Sequence, residues 1–439
     1  MGIEFQKVMA GVGIAAFTGV NGIACLGDSM MSISSASLTS PPRLSYPDRG
    51  VLGWAAALSG QRVRFNHNLN FGVAGENIAQ VMARVPSVIA SGARLCVVNP
   101  GTNDLPAGTA LATMKSGYLA GITALLQAGV RVLVVPILPR NDTGWNALSS
   151  GARATARRVR DAFNRWLWEL CFTTPGLEWV DILDLFTDLQ TSSQDNPAGS
   201  GRSVFTYDGL HPSSLGAFWM GKAIADVVNR IVSPARYPSN PFAAFHLSEN
   251  PSGNMFANPM LVGSQAAAGA GMSGNVAPSW AIGRYGGSSI TAVGSLSAKT
   301  LPSGLTYNMQ QVVMNNPGAG QELVAIRQYL TVAPLYTPGT ATLFSECDIE
   351  IDAASGLIGA FIEMNEDNAG TLNQARSIAV QDTSTGCPLL PAIAMDMRHR
   401  SHPIASVAGA INLQWQVVFR LEPGATITAR IGRPSVWAQ

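Results

Sequence analysis

Charged residues are scarce in this chain. Asp, Glu, Lys and Arg together make up only 13% of its 439 residues, and the formal net charge is +1. Lysine occurs only at Lys7, Lys115, Lys222 and Lys299. A nucleic-acid-binding protein needs a basic patch or stripe to neutralise phosphates. We therefore expect no nucleic-acid partner.

Long apolar runs are also lacking. The segment Val8–Val20 is apolar and follows Lys7, but its length of about 13 residues is below the about 20 that a transmembrane helix needs. Its profile also fits the core of a signal peptide, and that alternative stays open. We expect instead an unprocessed N-terminal arm, residues 1–20, in a chain that does not span a membrane.

Cysteine is rare and odd in number. Of the five cysteines, Cys25 and Cys96 lie in apolar, strand-like runs, where a free thiol behaves as a small hydrophobic side chain. Nothing in this usage requires a disulfide. The length of the chain exceeds the about 250–300 residues at which single cores stop growing, so we expect two domains.

Two short strings carry the parts of a nucleophilic hydrolase. Gly27-Asp28-Ser29-Met30 contains a serine, and Asp208-Gly209-Leu210-His211 contains a histidine and an aspartate. A serine hydroxyl is a weak nucleophile unless a base lies within hydrogen-bond reach and a carboxylate orients that base. The first string alone is weak evidence, because Ser follows Gly-Asp in many ordinary turns.

Two further blocks lie between them, Asn70 to Asn77 with Gly75, and Gly101-Thr102-Asn103-Asp104. The four blocks in this order resemble the SGNH (GDSL-type) hydrolase family, with Met30 where the name-giving pattern has Leu. The resemblance implies a triad of Ser29, Asp208 and His211. It also implies an oxyanion hole of the backbone N–H groups of Ser29 and Gly75 with the side-chain amide of Asn103. No metal and no cofactor is implied.

Residues 21–235 alternate short apolar runs with amphipathic ones, which is typical of strand-helix units around a parallel sheet. The expected strands are Ile23–Leu26, Leu95–Asn99, Val132–Leu138 and Trp179–Leu183, and the expected helices are Ile78–Ser91, Ala110–Gln127, Ala152–Leu170 and Ser213–Ile231. We therefore predict an α/β fold, and the resemblance implies that it is of the SGNH-hydrolase (flavodoxin-like) type. Each chemical motif follows a strand end, where ligands of open α/β sheets bind.

Three polar stretches are expected to form loops around the cleft. They are residues 32–50, 140–151 and 184–207, and four aromatic residues in or near them are candidates for the substrate rim. These candidates are Tyr46, Trp54, Trp145 and Tyr207. Packing in the core is the alternative for each of them.

After a proline-rich linker at residues 236–253, the helical period disappears. Runs such as Cys347–Asp352, Gln414–Leu421 and Thr426–Ile431 alternate apolar with polar residues, so residues 254–439 are expected to form an all-β sandwich. The opening Asn254–Met260 loosely resembles carbohydrate-binding jelly rolls of phage tail proteins. This domain is expected to bind glycan or to mediate oligomerisation. Asp396 and His399 repeat the Asp-x-x-His spacing, and we interpret them as a polar surface pair.

Together these features predict a serine esterase, specifically a carbohydrate O-acetylesterase whose partner is an acylated polysaccharide. We expect a phage tail protein, possible as a homo-oligomer (a trimer in a tail) and in contact with other virion proteins. Two alternatives remain open. One is a non-catalytic receptor-binding or structural virion protein that retains the fold, and the other is a cellular lipase or short-chain acyl esterase.

Overall fold

The computed structural model describes residues 21–35, 43–191, 200–234, 253–285, 289–301, 304, 306–333, 335–368, 370–378 and 390–439. The chain divides into two compact units close to residue 235, but residues 43–48 belong to the second unit. The expected N-terminal arm, residues 1–20, and residues 236–252 of the expected linker lie outside the described residues.

A parallel β-sheet forms the centre of the first unit. Its strands are β1 (Asn21–Gly27), β3 (Val63–Arg64), β4 (Asn70–Gly72), β5 (Leu95–Asn99), β6 (Arg131–Val134) and β7 (Leu177–Trp179), while β2 (Arg43–Tyr46) belongs to the second unit. The strand order is β3-β1-β5-β6-β7, and β4 also pairs with β1. After β1, the chain therefore first places β3 on one side of β1 and later places β5, β6 and β7 on the other side. In such doubly wound sheets, ligands bind at the carboxyl ends of the strands beside this reversal, here between β1 and β5.

The strands differ from the expected ones where proline intervenes. The expected strands at Ile23–Leu26 and Leu95–Asn99 lie in β1 and β5, whereas β6 ends at Val134 instead of Leu138. Pro136 and Pro139 lack the N–H that a ladder hydrogen bond needs, which ends the pairing early. The last strand, β7, ends at Trp179, where the sequence suggested it would begin.

Helices flank this sheet. They are α1 (Ser29–Ser32), α2 (Val51–Leu58), α3 (Ile78–Met82), α4 (Val85–Ala90), α5 (Leu111–Gln127), α6 (Thr143–Asn146), α7 (Ser150–Thr173), α8 (Leu183–Phe186) and α9 (Ser214–Ile231). The single helix expected at Ile78–Ser91 is broken into α3 and α4, because Pro86 has no N–H to donate to the carbonyl of Met82. Among the described residues, no helix combines the length and the apolar character needed to cross a bilayer.

Side-chain caps explain where several of these helices begin. Ser213 accepts a hydrogen bond from the N–H of Gly216 at 3.1 Å, and Ser149 accepts one from Ala152 at 3.2 Å. Such caps satisfy backbone donors that the first turn leaves unpaired. The cap at Ser213 fixes the start of α9, two residues after His211.

Two sheets make up the second unit, as the alternating patterns predict. Its further strands are β10 (Gln265–Ala266), β11 (Met272–Val276), β12 (Ala281–Arg284), β13 (Thr291–Thr300), β14 (Thr306–Asn315), β15 (Glu322–Thr331), β16 (Thr342–Ile351), β17 (Leu357–Asn368), β18 (Thr371–Ile378), β19 (Met395–Arg400), β20 (Ile404–Ala405), β21 (Asn412–Leu421) and β22 (Thr426–Ala438). One sheet has the order β10-β11-β13-β14-β22-β16-β19, with β20 paired to β16, and the other has the order β12-β15-β21-β17-β18-β2. Most of the pairings are antiparallel.

Tryptophans fill the space between these two sheets. Trp280, Trp415 and Trp437 are 2%, 0% and 1% exposed. The indole N–H of Trp415 on β21 donates to the hydroxyl of Ser345 on β16, in the opposite sheet, and the Phe256 ring lies 5.0 Å from that of Trp415. These rings are therefore core residues and offer no exposed surface for a sugar.

Asp396 and His399 do not form the expected surface pair. Both lie on β19, where residues three apart point to opposite faces of the strand. Asp396 is exposed and binds Lys299 at 2.7 Å. His399 is 2% exposed, and its Nδ1 lies 3.0 Å from the hydroxyl oxygen of Ser377, while burial lowers its pKa to about 4.

Candidate active site

Ser29 is the first residue of α1, directly after the turn that follows β1, at the carboxyl end of the sheet. The side chain of Asp28 caps α1 by accepting a hydrogen bond from the N–H of Met30 at 3.0 Å. The first N–H groups of a helix have no intrahelical acceptor, so the backbone N–H of Ser29 is available to a ligand. Ser29 itself is half-buried.

Asp28, directly before Ser29, is a buried carboxyl group. It is 0% exposed, and its Oδ2 has no hydrogen-bond partner among the described residues. Burial raises the pKa of Asp28 to about 7, although the N–H of Met30 and the positive charges of His211 and Arg140 act in the opposite direction. Met30 and Leu210 line the same small cavity, so the loop of His211 lies near the turn of Ser29.

Asp208 and His211 form a directed pair. Nδ1 of His211 lies 2.6 Å from Oδ2 of Asp208, and the other carboxylate oxygen accepts from the N–H groups of His211 at 2.7 Å and Leu210 at 2.9 Å. Partial burial raises the pKa of Asp208, but these hydrogen bonds outweigh it and hold the pKa below its ordinary value. An ionised Asp208 at this position keeps the proton of His211 on Nδ1 and leaves Nε2 as an acceptor.

The loops that contain Gly75 and Asn103 are tied to each other. Asn103 donates from Nδ2 to the carbonyl of Glu76 at 2.9 Å, and Oδ2 of Asp104 accepts from the N–H of Ile78 at 2.8 Å. A side-chain amide has two N–H groups, so one of those on Asn103 stays available. Gly75 has a φ of +82°, which favours glycine, and its missing Cβ would meet no atom within 4 Å.

Strand order brings these loops together. Ser29 follows β1, Gly75 follows β4 and Asn103 follows β5, and both β4 and β5 pair with β1. A small cavity is bordered by Met30, Thr102 and Leu210, the neighbours of Ser29, Asn103 and His211. The structure therefore places Ser29, Gly75, Asn103, Asp208 and His211 on loops that meet at one edge of the sheet.

Arg84 is a site residue that the sequence analysis missed. Its guanidinium donates to the carbonyl of Gly27 and, at the same distance of 3.0 Å, to that of Phe71, and it forms an ion pair with Glu76. Burial lowers its pKa below the ordinary value. Arg84 thus joins the end of β1, the end of β4 and the Gly75 loop. Bonds to backbone carbonyls leave no residue pattern by which a sequence could reveal them.

Arg140 is a second arginine that joins loops of the candidate site. It donates to the carbonyl of Thr102 at 3.0 Å and makes two bonds to Asp142, at 2.7 and 2.9 Å. Asn141 lies between these two residues in the sequence, and its N–H donates to the carbonyl of Gly209 at 2.7 Å. The Asn103 loop is therefore linked through residues 140–142 to the loop of Asp208 and His211.

Of the four aromatic rim candidates, only Tyr207 is seen at the surface beside the triad. Tyr207 is 44% exposed and stacks on the ring of His211 at 5.8 Å, with the guanidinium of Arg49 4.1 Å from its centre. Trp54 and Trp145, at 3% and 1% exposure, are core residues instead of rim residues, because each indole packs inside the unit. The side chain of Tyr46 lies outside the described residues.

The loops expected around the cleft contain more regular structure than the sequence suggested. Residues 43–46 form a strand of the second unit, residues 143–146 form α6, and residues 183–188 form α8 and a short strand, β8 (Thr187–Asp188), which pairs with β9 (Ser200–Gly201). Within the part of the chain that the structure describes, no three His, Cys, Asp or Glu residues lie close enough to hold a metal ion.

Comparisons with known proteins extend this picture. Residues 25–217 match the model of the GDSL-like Lipase/Acylhydrolase family. Similar solved structures include a GDSL-like lipase from Bacteroides thetaiotaomicron, which is 14% identical, covers 52% of this chain and 97% of its own, and has a TM-score of 0.36. A member of the lipolytic G-D-S-L family from Veillonella parvula is 16% identical over 48% of this chain and 100% of its own, with a TM-score of 0.34.

A lipase/acylhydrolase from Enterococcus faecalis is 18% identical over 49% of this chain and 100% of its own, with a TM-score of 0.32. A comparison with curated proteins found no match.

Proposed function

We propose that this chain, an ester hydrolase of the GDSL-like lipase/acylhydrolase type over residues 25–217, removes acetyl groups from a bacterial surface polysaccharide. The observation that supports a short acyl group is a small cavity next to the turn of Ser29, lined by Met30 and not by Ser29 itself. The cavity among the loops of Ser29, Asn103 and His211 has a volume of about 10 Å³. It is lined by Met30, Asn99, Pro100, Thr102, Ile137, Leu138 and Leu210.

That volume is about the room that one water molecule needs. It is suited to the methyl group of an acetyl ester, whereas pockets for larger ligands measure roughly 300–1,000 Å³. A long fatty acyl chain would have to remain outside. We therefore favour a short-chain esterase over a lipase.

The proposed reaction uses the triad in two steps. Ser29 attacks the acyl carbonyl while His211 takes its proton at Nε2, and the proton then passes to the departing sugar hydroxyl. Asp208 fixes the tautomer of His211 and stabilises the imidazolium. The oxyanion accepts hydrogen bonds from the N–H groups of Ser29 and Gly75 and from the second N–H of Asn103. Water, activated by His211, then releases acetate from Ser29.

The polysaccharide part of the proposal is supported by the second unit and by the rim. A β-sandwich attached to a hydrolase is suited to holding a polymer or a second copy of the chain. Beside the triad, Tyr207 and Arg49 present an aromatic ring and a cation in place of an apolar lipid-binding surface. We further propose that the chain acts outside the cell as a homo-oligomeric phage tail protein, in line with the loose resemblance at Asn254–Met260. Purified virions that lack the chain by mass spectrometry would overturn this localisation.

The decisive experiment measures acetate release from aryl acetates and from O-acetylated polysaccharides by the parent protein and its Ser29→Ala variant. We expect release by the parent and none by the variant, and slower hydrolysis of an aryl octanoate. Ser116→Ala is a matched control, because Ser116 is an exposed helical serine bonded to the carbonyl of Thr113. Faster cleavage of octanoate than of acetate would contradict the acetyl preference, and a parent active only on aryl esters would contradict the polysaccharide substrate.

A further inference from the structure

A groove runs along the first unit beyond its last strand, β7. It consists of a cavity of about 670 Å³ between α7 and the segment that follows β7, and of a second cavity of about 360 Å³ between that segment and α9. The two cavities share Trp179 and Asp181, so they adjoin at these residues, and together they are called the groove here. The larger volume lies within the roughly 300–1,000 Å³ of small-ligand sites.

Three tryptophans are spaced along this groove. Trp168 of α7 lines the larger cavity and is 47% exposed, Trp179 lines both cavities, and Trp219 of α9 lines the smaller one. Trp179 and Trp219 are half-buried. A partly exposed indole presents a flat apolar face with a polar N–H at its edge. Such a face can stack on the apolar face of a sugar ring.

A buried cation in the larger cavity has an unused donor. Arg160 is 3% exposed, and its Nε donates to Oδ1 of Asp161 at 2.8 Å. Its Nη2 is buried and has no hydrogen-bond partner among the described residues. An unmade hydrogen bond of a buried donor typically costs about 1–3 kcal/mol, more for a charged group. Arg160 therefore supplies a positive charge at the wall of the cavity.

The carboxylates that line the larger cavity indicate which class of ligand fits there. Asp161, Glu169, Asp181 and Asp184 line the larger cavity, against the guanidinium groups of Arg160 and Arg165. This excess of negative charge disfavours phosphates and acidic polymers. Carboxylate oxygens are acceptors and guanidinium groups are donors, so together they can bond the hydroxyl groups of a neutral sugar, each of which both donates and accepts.

The groove lies on the same edge of the sheet as the nucleophile. Trp179 ends β7, and Ser29 follows the carboxyl end of β1, three strands away in the order β1-β5-β6-β7. With about 4.8 Å between neighbouring strands, this separation is roughly 14 Å. A polymer of a few sugar units can therefore reach both places at once.

We propose that this groove is a saccharide-binding site that holds neutral sugar units of the substrate polymer apart from the ester that is cleaved. The assignment rests on the proposed polysaccharide substrate, and it adds a second place of contact on the catalytic unit. The site acts on polymer affinity and takes no part in bond cleavage.

The test uses the full chain in the Ser29→Ala background, so that binding is measured without hydrolysis. Migration in native gels containing dextran, xylan or glucomannan, each with and without chemical acetylation, gives the dissociation constants. We expect at least one polymer to retard the protein. Trp168→Ala and Trp219→Ala should each weaken that binding about tenfold, since an aromatic contact contributes up to about 1.5 kcal/mol and 1.4 kcal/mol is a factor of ten.

Phe172→Ala is the matched control. Phe172 lies one turn after Trp168 on the same helix, is 73% exposed and packs against Trp168 at 4.6 Å, but it does not line the groove. Its removal should leave the dissociation constant unchanged. The groove would not be the binding site if binding were lost equally in Phe172→Ala, or if it were fully retained in Trp168→Ala and Trp219→Ala. The absence of retardation by every polymer would also contradict the proposal.

Activity assays separate this inference from the proposed function. With Ser29 intact, a protein that binds a polymer through the groove but releases no acetate would refute the esterase specificity and leave the groove in place. A protein that deacetylates a polymer with the same KM before and after Trp168→Ala would refute the groove alone.

Discussion

Asn103 donates its side-chain amide to the backbone carbonyl of Glu76 at 2.9 Å, and this bond joins the loop after β5 to the loop after β4. Asn103 is thus placed to do two things, to hold the Gly75 loop and to present its second N–H to an oxyanion. We expect Asn103→Ala to lower kcat for an aryl acetate by about 10²–10³ with a small change in KM, because oxyanion donors act mainly in the transition state.

Asn77→Ala in the same loop is the control for this variant. Asn77 caps α3 through a bond from the N–H of Gln80 at 3.1 Å, so its loss should reduce the free energy of unfolding by about 0.5–2 kcal/mol. Its kcat should stay within a few-fold of the parent value. If both variants lost the same activity, Asn103 would matter only for loop structure.

Asp208→Asn tests the orientation of His211. The amide keeps the size of the carboxylate, but its N–H group favours the wrong tautomer of the imidazole opposite it. We expect kcat to fall by about 10³–10⁴, while the melting temperature changes little because both residues are partly exposed. Steady-state kinetics on aryl acetates measure the loss. The control Asp188→Asn removes a carboxylate that bonds the N–H of Gln190 and not His211, and it should be fully active.

The sequence predicted the loops of the candidate active site because each one contains a short contiguous motif. The family resemblance drawn from Ser29, Gly75, Asn103 and His211 is confirmed by the match over residues 25–217, and the α/β fold with a following all-β region is confirmed as well. The sequence did not reveal β2, whose partner β18 is more than 300 residues away. Pairing at such a distance depends on the whole fold and leaves no local pattern.

Local sequence patterns also could not predict which aromatic side chains are buried. Trp54 and Trp145 come from stretches near the expected cleft, yet neighbours distant in sequence enclose them, as Phe218 does at 5.2 Å from Trp54. Arg84 and Arg140 were missed for the same reason, because their acceptors are backbone carbonyls on other loops. The motifs therefore predict which residues react, and the fold determines what holds them.

Asp28→Asn should stabilise the protein in alkaline solution. The pKa of Asp28 is about 7 in the fold, above the ordinary 3.8, so folding favours the protonated form and stability is lost as the pH rises toward 7. An asparagine keeps the cap on Met30 but cannot ionise. Between pH 5 and pH 8, the variant should gain about 2–3 kcal/mol in free energy of unfolding relative to the parent. Urea unfolding of both proteins at the two pH values measures this difference, and a pH-independent difference would contradict the buried charge.

His399 should make the second unit sensitive to acid. Burial lowers its pKa from 6.5 to about 4, so the fold favours the neutral ring. The contribution to stability is full above pH 6.5 and is lost as the pH falls toward 4, by about 3 kcal/mol in all. His399→Gln should remove this part of the pH dependence. Denaturant titrations between pH 7 and pH 4 check it, and an unchanged slope in the variant would show that other groups are responsible.

Gly209→Ala should displace His211, although Gly209 is not itself a member of the triad. Gly209 has a φ of +86°, and a Cβ there would lie 2.7 Å from the backbone carbonyl of Asn141, which is linked through Arg140 to the Asn103 loop. An alanine at position 209 would force either its own loop or the segment at Asn141 to move. A shift of its own loop would move His211. We expect kcat to fall at least about tenfold, since small misplacements of catalytic groups are costly.

The matched control for Gly209 is Gly92→Ala. Gly92 has a φ of +72°, but a Cβ there would meet no atom within 4 Å. Both variants therefore carry the backbone strain of about 1–2 kcal/mol that a left-handed alanine incurs, and only one carries the clash. If both lose stability equally but only Gly209→Ala loses kcat, the position of the Asp208–His211 loop limits the reaction. Equal activity in both variants would mean that the loop adapts to the extra methyl group and that its contact with Asn141 does not set the geometry of His211.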